Sequence, residues 1–140
     1  MVAQSQTAVG HNVGGRDSLA RRVLIGDSLL CAVSGVVMIV ASGALSDFTG
    51  LKPGWVPAVI GVGLLAWAAD VYLIARSAEI RPSRVWMVIG GNLAWVIASY
   101  GILLAGTPEL TTAGSWTVAI LAEVVGLVAI AQYLGLRRLR

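Results

Sequence analysis

The sequence predicts an all-α integral membrane protein: a four-helix bundle made of two homologous two-helix hairpins in the same orientation. Three observations predict it. The 140-residue chain is 57% hydrophobic and 12% charged, with a mean hydropathy of +0.83, whereas a soluble domain carries about 25% charged residues. Four apolar runs alternate with short polar connections. Identities recur at constant offsets between the first pair of runs and the second.

Residues 1–20 come first. MVAQSQTAVGHNVGG is small, polar and glycine-containing, which predicts a disordered tail. RDSLARR reads as one interfacial turn. Residues 21–140 form the transmembrane domain, with hairpins at about 23–76 and 85–137. The spans are Val23–Ser46, Trp55–Ala75, Val85–Gly106 and Trp116–Leu136. At a rise of about 1.5 Å per residue, each crosses a hydrocarbon core of about 30 Å. The connections are SDFTGLKPG, SAEIRPSR and TPELTTAGS, punctuated by Pro53-Gly54, Pro82 and Pro108. The first run exceeds the roughly 7–15 apolar residues of a signal peptide, so it is read as a retained span.

Charge sets the orientation. Arg16, Arg21, Arg22, Arg76, Arg81, Arg84, Arg137, Arg138 and Arg140 fall on one side, and Lys52 alone on the other. Basic residues concentrate on the cytoplasmic side. Both termini are therefore expected in the cytoplasm and the chain in the inner (plasma) membrane. The net charge of +3 sits at span ends, an anchoring pattern rather than a nucleic-acid footprint.

Chemistry-bearing motifs are scarce. Cys31 is the one cysteine and His11 the one histidine, which excludes an internal disulfide and a haem held by two intramembrane histidines. No nucleophile motif, metal-ligand cluster or phosphate loop is present, so no enzyme activity and no cofactor are expected. Gly61, Gly63, Gly90 and Gly91 read as helix-packing glycines.

The repeat is the most informative feature. GDSLLCAVSGV (26–36) aligns with GNLAWVIASYG (91–101), pairing Gly26 with Gly91, Asp27 with Asn92 and Ser34 with Ser99 at an offset of 65. Trp55, Tyr72, Leu73 and Arg76 pair with Trp116, Tyr133, Leu134 and Arg137 at an offset of 61. Each unit has two spans, so the copies share one orientation about an axis along the membrane normal.

Polar groups inside spans are the candidate site: Asp27, Ser34, Asp70, Asn92, Trp95, Ser99, Tyr100 and Glu123. Asn92, Trp95 and Ser99 share one helix face, repeated as Asp27, Leu30 and Ser34 and extended by Cys31, Gly35, Met38 and Ser42. Such faces turn inward, because a bundle interior offers partners and lipid offers none. The face serves either as packing glue or as the lining of a ligand cavity. Asp27 and Asp70 lie about 8–9 Å inside the arginine anchors, so Arg22, Arg76 or Arg84 is expected to pair with them. Glu123 lies about 10 Å from the outer anchor Trp116 and beyond reach of any cation in the chain. It is expected to carry its proton, face water or meet a partner subunit, with Asn92 as the nearest internal candidate.

The pattern of Asp27, of Asn92-x-x-Trp95-x-x-x-Ser99 and of Leu110-Thr111-x-x-Gly114 resembles small bacterial four-span inner-membrane proteins with a duplicated two-helix hairpin. The resemblance covers about residues 20–138 and implies no established activity. Size and span count are similar to those of the small multidrug transporters. Those carry their essential Glu in the first span, whereas the mid-span acid here is Glu123 in the fourth, so that function is not carried over. The reading that follows is a non-enzymatic membrane protein acting by helix-mediated association, as a homo-oligomer or an accessory subunit, with the lipid bilayer as its surroundings. The alternative is a small transporter or intramembrane ligand-binding protein using Asp27, Asn92, Ser99 and Glu123. Topology is directly testable. A reporter active only in the periplasm, fused after Arg140, is expected to be silent; activity there would reverse the orientation read from the arginines.

Overall fold

The computed structural model describes the backbone of residues 2–106 and 108–139 and the side chains from Asp17 onward. It is all-helical among the described residues: α1 (Val2–Val40), α2 (Ser42–Thr49), α3 (Val56–Arg76), α4 (Pro82–Ala105) and α5 (Thr112–Leu139). Four segments are long and apolar enough to cross a membrane, Asp17–Val40, Val56–Arg76, Pro82–Ala105 and Thr112–Leu139. The chain is a multi-pass membrane protein.

Two boundaries differ from the sequence reading. α1 begins at Val2, where composition predicts a disordered tail. Extending a formed helix fixes one residue per hydrogen bond, and no proline interrupts this stretch. The first span also ends early. Ala41 leaves helical geometry (φ −104°, ψ 22°) and Ser42–Thr49 forms the separate α2. Hydrogen bonds continue on both sides, Ala41 N–H to Val37 O at 2.9 Å and Leu45 N–H to Ala41 O at 2.8 Å. The break is therefore a kink, placed at the Ser42-Gly43 pair. It turns the first half of the predicted SDFTGLKPG loop into helix.

α2 ends in a tight lock. Gly50, at φ 82°, closes the helix with its N–H on Ser46 O, a left-handed cap that glycine adopts without strain. The Thr111 N–H then bonds Thr49 O at 2.9 Å, and the Thr111 hydroxyl bonds Phe48 O at 2.5 Å. The same hydroxyl accepts the Gly114 N–H at 2.9 Å and so caps the start of α5.

Packing is uneven. α1 packs most extensively on α3 and α4 on α5, α1 also lies along α5, and the α3–α4 seam is sparse. The apolar core lies at the arginine-rich end, where Leu24, Val71, Ile74, Val85, Val88, Ile89 and Leu136 are buried and Ile80 plugs the loop between α3 and α4. Buried faces follow the sequence offsets. Gly61, Ala68, Val71, Ile74 and Ala75 of α3 correspond to Ala122, Ala129, Gln132, Gly135 and Leu136 of α5, each at 61. Ala20, Leu24 and Asp27 correspond to Val85, Ile89 and Asn92 at 65.

Of the four packing glycines expected, two serve that role. Gly61 faces Gly35 across α1–α3, and Gly91 receives the Trp67 ring. Gly63 and Gly90 face open space, so they are corrections to that reading. A Cβ on Gly61 would sit 2.6 Å from Gly35 O, a backbone atom that cannot step aside. Gly61→Ala is therefore expected to lose about 1–3 kcal/mol in detergent unfolding. Gly63→Ala, with nothing within 4 Å, should match or exceed the native stability. Equal effects at the two positions would contradict the packing.

Candidate functional site

Three helices bring one polar residue each to a single point near the core. Asp27 comes from α1, Asn92 from α4 and Gln132 from α5, and they are 4%, 5% and 1% exposed. Asn92 Nδ2 donates to Asp27 Oδ2 at 3.1 Å and to Gln132 Oε1 at 3.0 Å. Gln132 Nε2 donates to the same Asp27 oxygen at 2.7 Å. The triangle is closed, and the thiol of Cys31 lies 3.7 Å from Asp27 Oδ1. Asp27 accepts in each of these contacts. Beside it the Ser28 hydroxyl bonds Ala68 O at 2.9 Å and joins α1 to α3. Among the described residues, no buried side-chain nitrogen or oxygen lacks a partner.

The partner of Asp27 corrects the sequence reading, which gave it an arginine. The cations have other work. Arg21 donates to Ala75 O, and to Ser77 O at 3.0 Å. It thereby caps the C-terminal carbonyls of α3, the negative end of that helix. Arg76 lies over the Tyr72 ring at 5.7 Å. Arg84 takes Asp70 at 3.2 Å, the ion pair expected for that acid. A charged head group costs more to bring to Asp27 than two carboxamides already inside the bundle, so the amides hold the acid.

The remaining site residues lie apart. Ser34 is half-buried on α1. Ser99 is buried, but its hydroxyl returns to Trp95 O of its own helix at 2.7 Å, and Trp95 is half-buried. Tyr100 and Glu123 are exposed on the outer side of α4 and α5, where the phenol donates to Glu123 Oε1. The internal partner of Glu123 is thus Tyr100 and not Asn92. Asp27 with Asn92, Ser99, and Glu123 occupy three separate places. Leu30, expected on the inner face, is turned outward.

Gln132 is absent from the sequence-derived set. It is the only glutamine inside an apolar run, and that alone marks it, since a carboxamide facing lipid has no partner. It belongs to the buried α5 face 122/129/132/136, about 100° around the helix from the face that holds Glu123.

The triangle predicts non-additivity. Asn92→Ala and Gln132→Ala should each destabilise the bundle by about 1–3 kcal/mol, because each removes a donor from a buried acceptor. Once one donor is gone, removing the other should cost less, giving a coupling of about 1 kcal/mol in a double-mutant cycle. Strict additivity would mean that the three groups do not act together. No protein-family model, curated protein or solved structure matches the chain, so its function is inferred from the geometry of these groups.

Proposed function

We propose that the chain is a small, non-enzymatic protein of the bacterial inner membrane, with both termini cytoplasmic, built by duplication of a two-helix hairpin. It acts by helix-mediated association with a second copy of itself. The observation that carries this reading is the outer face of α4. Gly90, Ala94, Ala98, Gly101 and Ala105 form an exposed row of small residues there, interleaved with Leu93, Ile97 and Leu104. A Cβ at Gly90 or Gly101 would meet nothing within 4 Å, so the row plays no part in packing within the chain. Helices in lipid associate where small residues let backbones approach.

The Tyr100–Glu123 pair flanks this row. Intramembrane acids are commonly turned toward protein or water rather than lipid, and a second bundle against α4 would cover the pair's flank. The interior triangle supports the same reading, because its three groups bond one another and tie α1, α4 and α5 together. Identical insertion of both copies makes the interface parallel and two-fold, with each residue near the axis meeting its own counterpart.

Cysteine crosslinking in native membranes tests this. In a Cys31→Ser background, Ala94→Cys and Gly101→Cys are expected to yield a covalent homodimer. Val59→Cys and Val62→Cys, exposed on α3, should remain monomeric. A crosslink from α4 to a different protein would favour an accessory subunit. Absence of any α4 crosslink would refute association through this face.

A further inference from the structure

We propose that the arginine-rich end of the α3–α4 seam is a headgroup site for an aminophospholipid, a lipid carrying a phosphodiester and a primary ammonium. A pocket opens there, lined by Leu73, Ile74, Ser77, Glu79, Arg81 and Arg84. It sits between the C-terminus of α3 and the start of α4, the two neighbouring helices that pack least against each other. Tyr72, Trp86 and Tyr133 mark this depth, with Trp86 and Tyr133 stacked edge-to-face at 6.0 Å. Aromatic residues of this kind mark the headgroup layer.

The charges of the pocket are balanced. Arg81 and Arg84 supply two guanidinium groups. Glu79 supplies one carboxylate, and Arg84 is already paired at 3.2 Å with Asp70 outside the lining, so Arg81 and Glu79 are left as one cation and one anion. An anionic lipid gains little net attraction from such a set. A zwitterionic headgroup matches it point for point. The phosphate has donors in Arg81, in the N–H groups of Arg84 not used on Asp70, and in the first turn of α4. Pro82 has no N–H, and the N–H groups of Arg84 and Val85 bond Arg81 O at 3.0 and 3.4 Å, so the N–H of Ser83 is the donor this turn adds. The ammonium has an acceptor in exposed Glu79.

Apolar walls complete the site. Leu73 is 66% exposed beside buried Ile74 and continues the pocket along the sparse seam, a bed for the first methylenes of an acyl chain. Further along, the Trp67 ring seated on Gly91 closes the seam, so the bed is short. A primary ammonium donates hydrogen bonds to Glu79 that a trimethylated one cannot, and this is the basis of selectivity.

Native mass spectrometry of the intact protein tests the assignment. Phosphatidylethanolamine, phosphatidylcholine and phosphatidylglycerol with the same acyl chains are offered at equal concentration. The wild type is expected to retain phosphatidylethanolamine about tenfold over phosphatidylcholine, as befits hydrogen bonding to a charged acceptor. Glu79→Gln should bring that ratio toward one. Arg81→Gln should lower retention of both zwitterionic lipids, while Arg138→Gln, exposed on α5, should leave both unchanged. Circular dichroism checks that each variant keeps its helices. Equal retention of the two zwitterionic lipids, or preference for phosphatidylglycerol, would overturn the proposal. So would an Arg138→Gln effect as large as that of Arg81→Gln. If soluble phosphoethanolamine binds as tightly as the lipid, the apolar wall is idle and the lipid assignment falls.

Discussion

A carboxyl group placed among hydrocarbon has to receive its hydrogen bonds from the protein, and the position of Asp27 imposes that demand on three helices at once. Asn92 and Gln132 meet it from α4 and α5, at 3.1 and 2.7 Å. The hydrophobic effect does little to hold helices together in lipid, so directed contacts and close packing carry the association. Here they fall in sequence along the bundle. The triangle ties α1, α4 and α5; Ser28 ties α1 to the Ala68 carbonyl of α3; Gly35 and Gly61 bring α1 and α3 into backbone contact. The Thr111 bonds close the opposite end.

The arrangement follows the sequence offsets of 65 and 61. Asp27 and Asn92 stand at matching positions of the two hairpins, 65 residues apart, and touch each other. Matching burial at α3 and α5 follows from the same relation. The departures from it are equally informative. The α1–α5 seam is well packed and its counterpart α3–α4 is not. Val71 corresponds to Gln132, so one hairpin presents an apolar residue where the other presents the second donor to Asp27. The faces of α1 and α4 that match at the offset of 65 are both exposed, but Leu29, Val33, Val36 and Val40 on α1 are bulky where Ala94, Ala98, Gly101 and Ala105 on α4 are small.

Much of this is legible in the sequence. Span number, sidedness of the arginines and the offsets of the repeat are local or periodic properties, and periodicity carries them directly. Asp27 and Asn92 are identifiable because they are polar residues in apolar runs. Which helix each one meets is not local. It depends on how four cylinders are rotated about their own axes, and a stripe such as 119/123/126/130 looks as packable as 122/129/132/136 until the neighbours are known. The kink at Ala41 is hidden for the same reason, since Ser42-Gly43 permits a bend without requiring one. No arginine meets Asp27 because two carboxamides already inside the bundle hold it, while Arg84 takes Asp70 and Arg76 lies over Tyr72.

The central claim is that positions 27 and 92 face each other and, with Gln132, hold one carboxyl group. Exchanging them tests it most directly, by comparing unfolding in mild detergent of Asn92→Asp alone with that of Asp27→Asn combined with Asn92→Asp. The single change crowds two carboxyl groups against Gln132 and is predicted to cost about 3 kcal/mol or more. The exchange restores one acid and two carboxamides, and is predicted to return to within about 1 kcal/mol of the native protein. A double variant as unstable as Asn92→Asp alone would contradict the account.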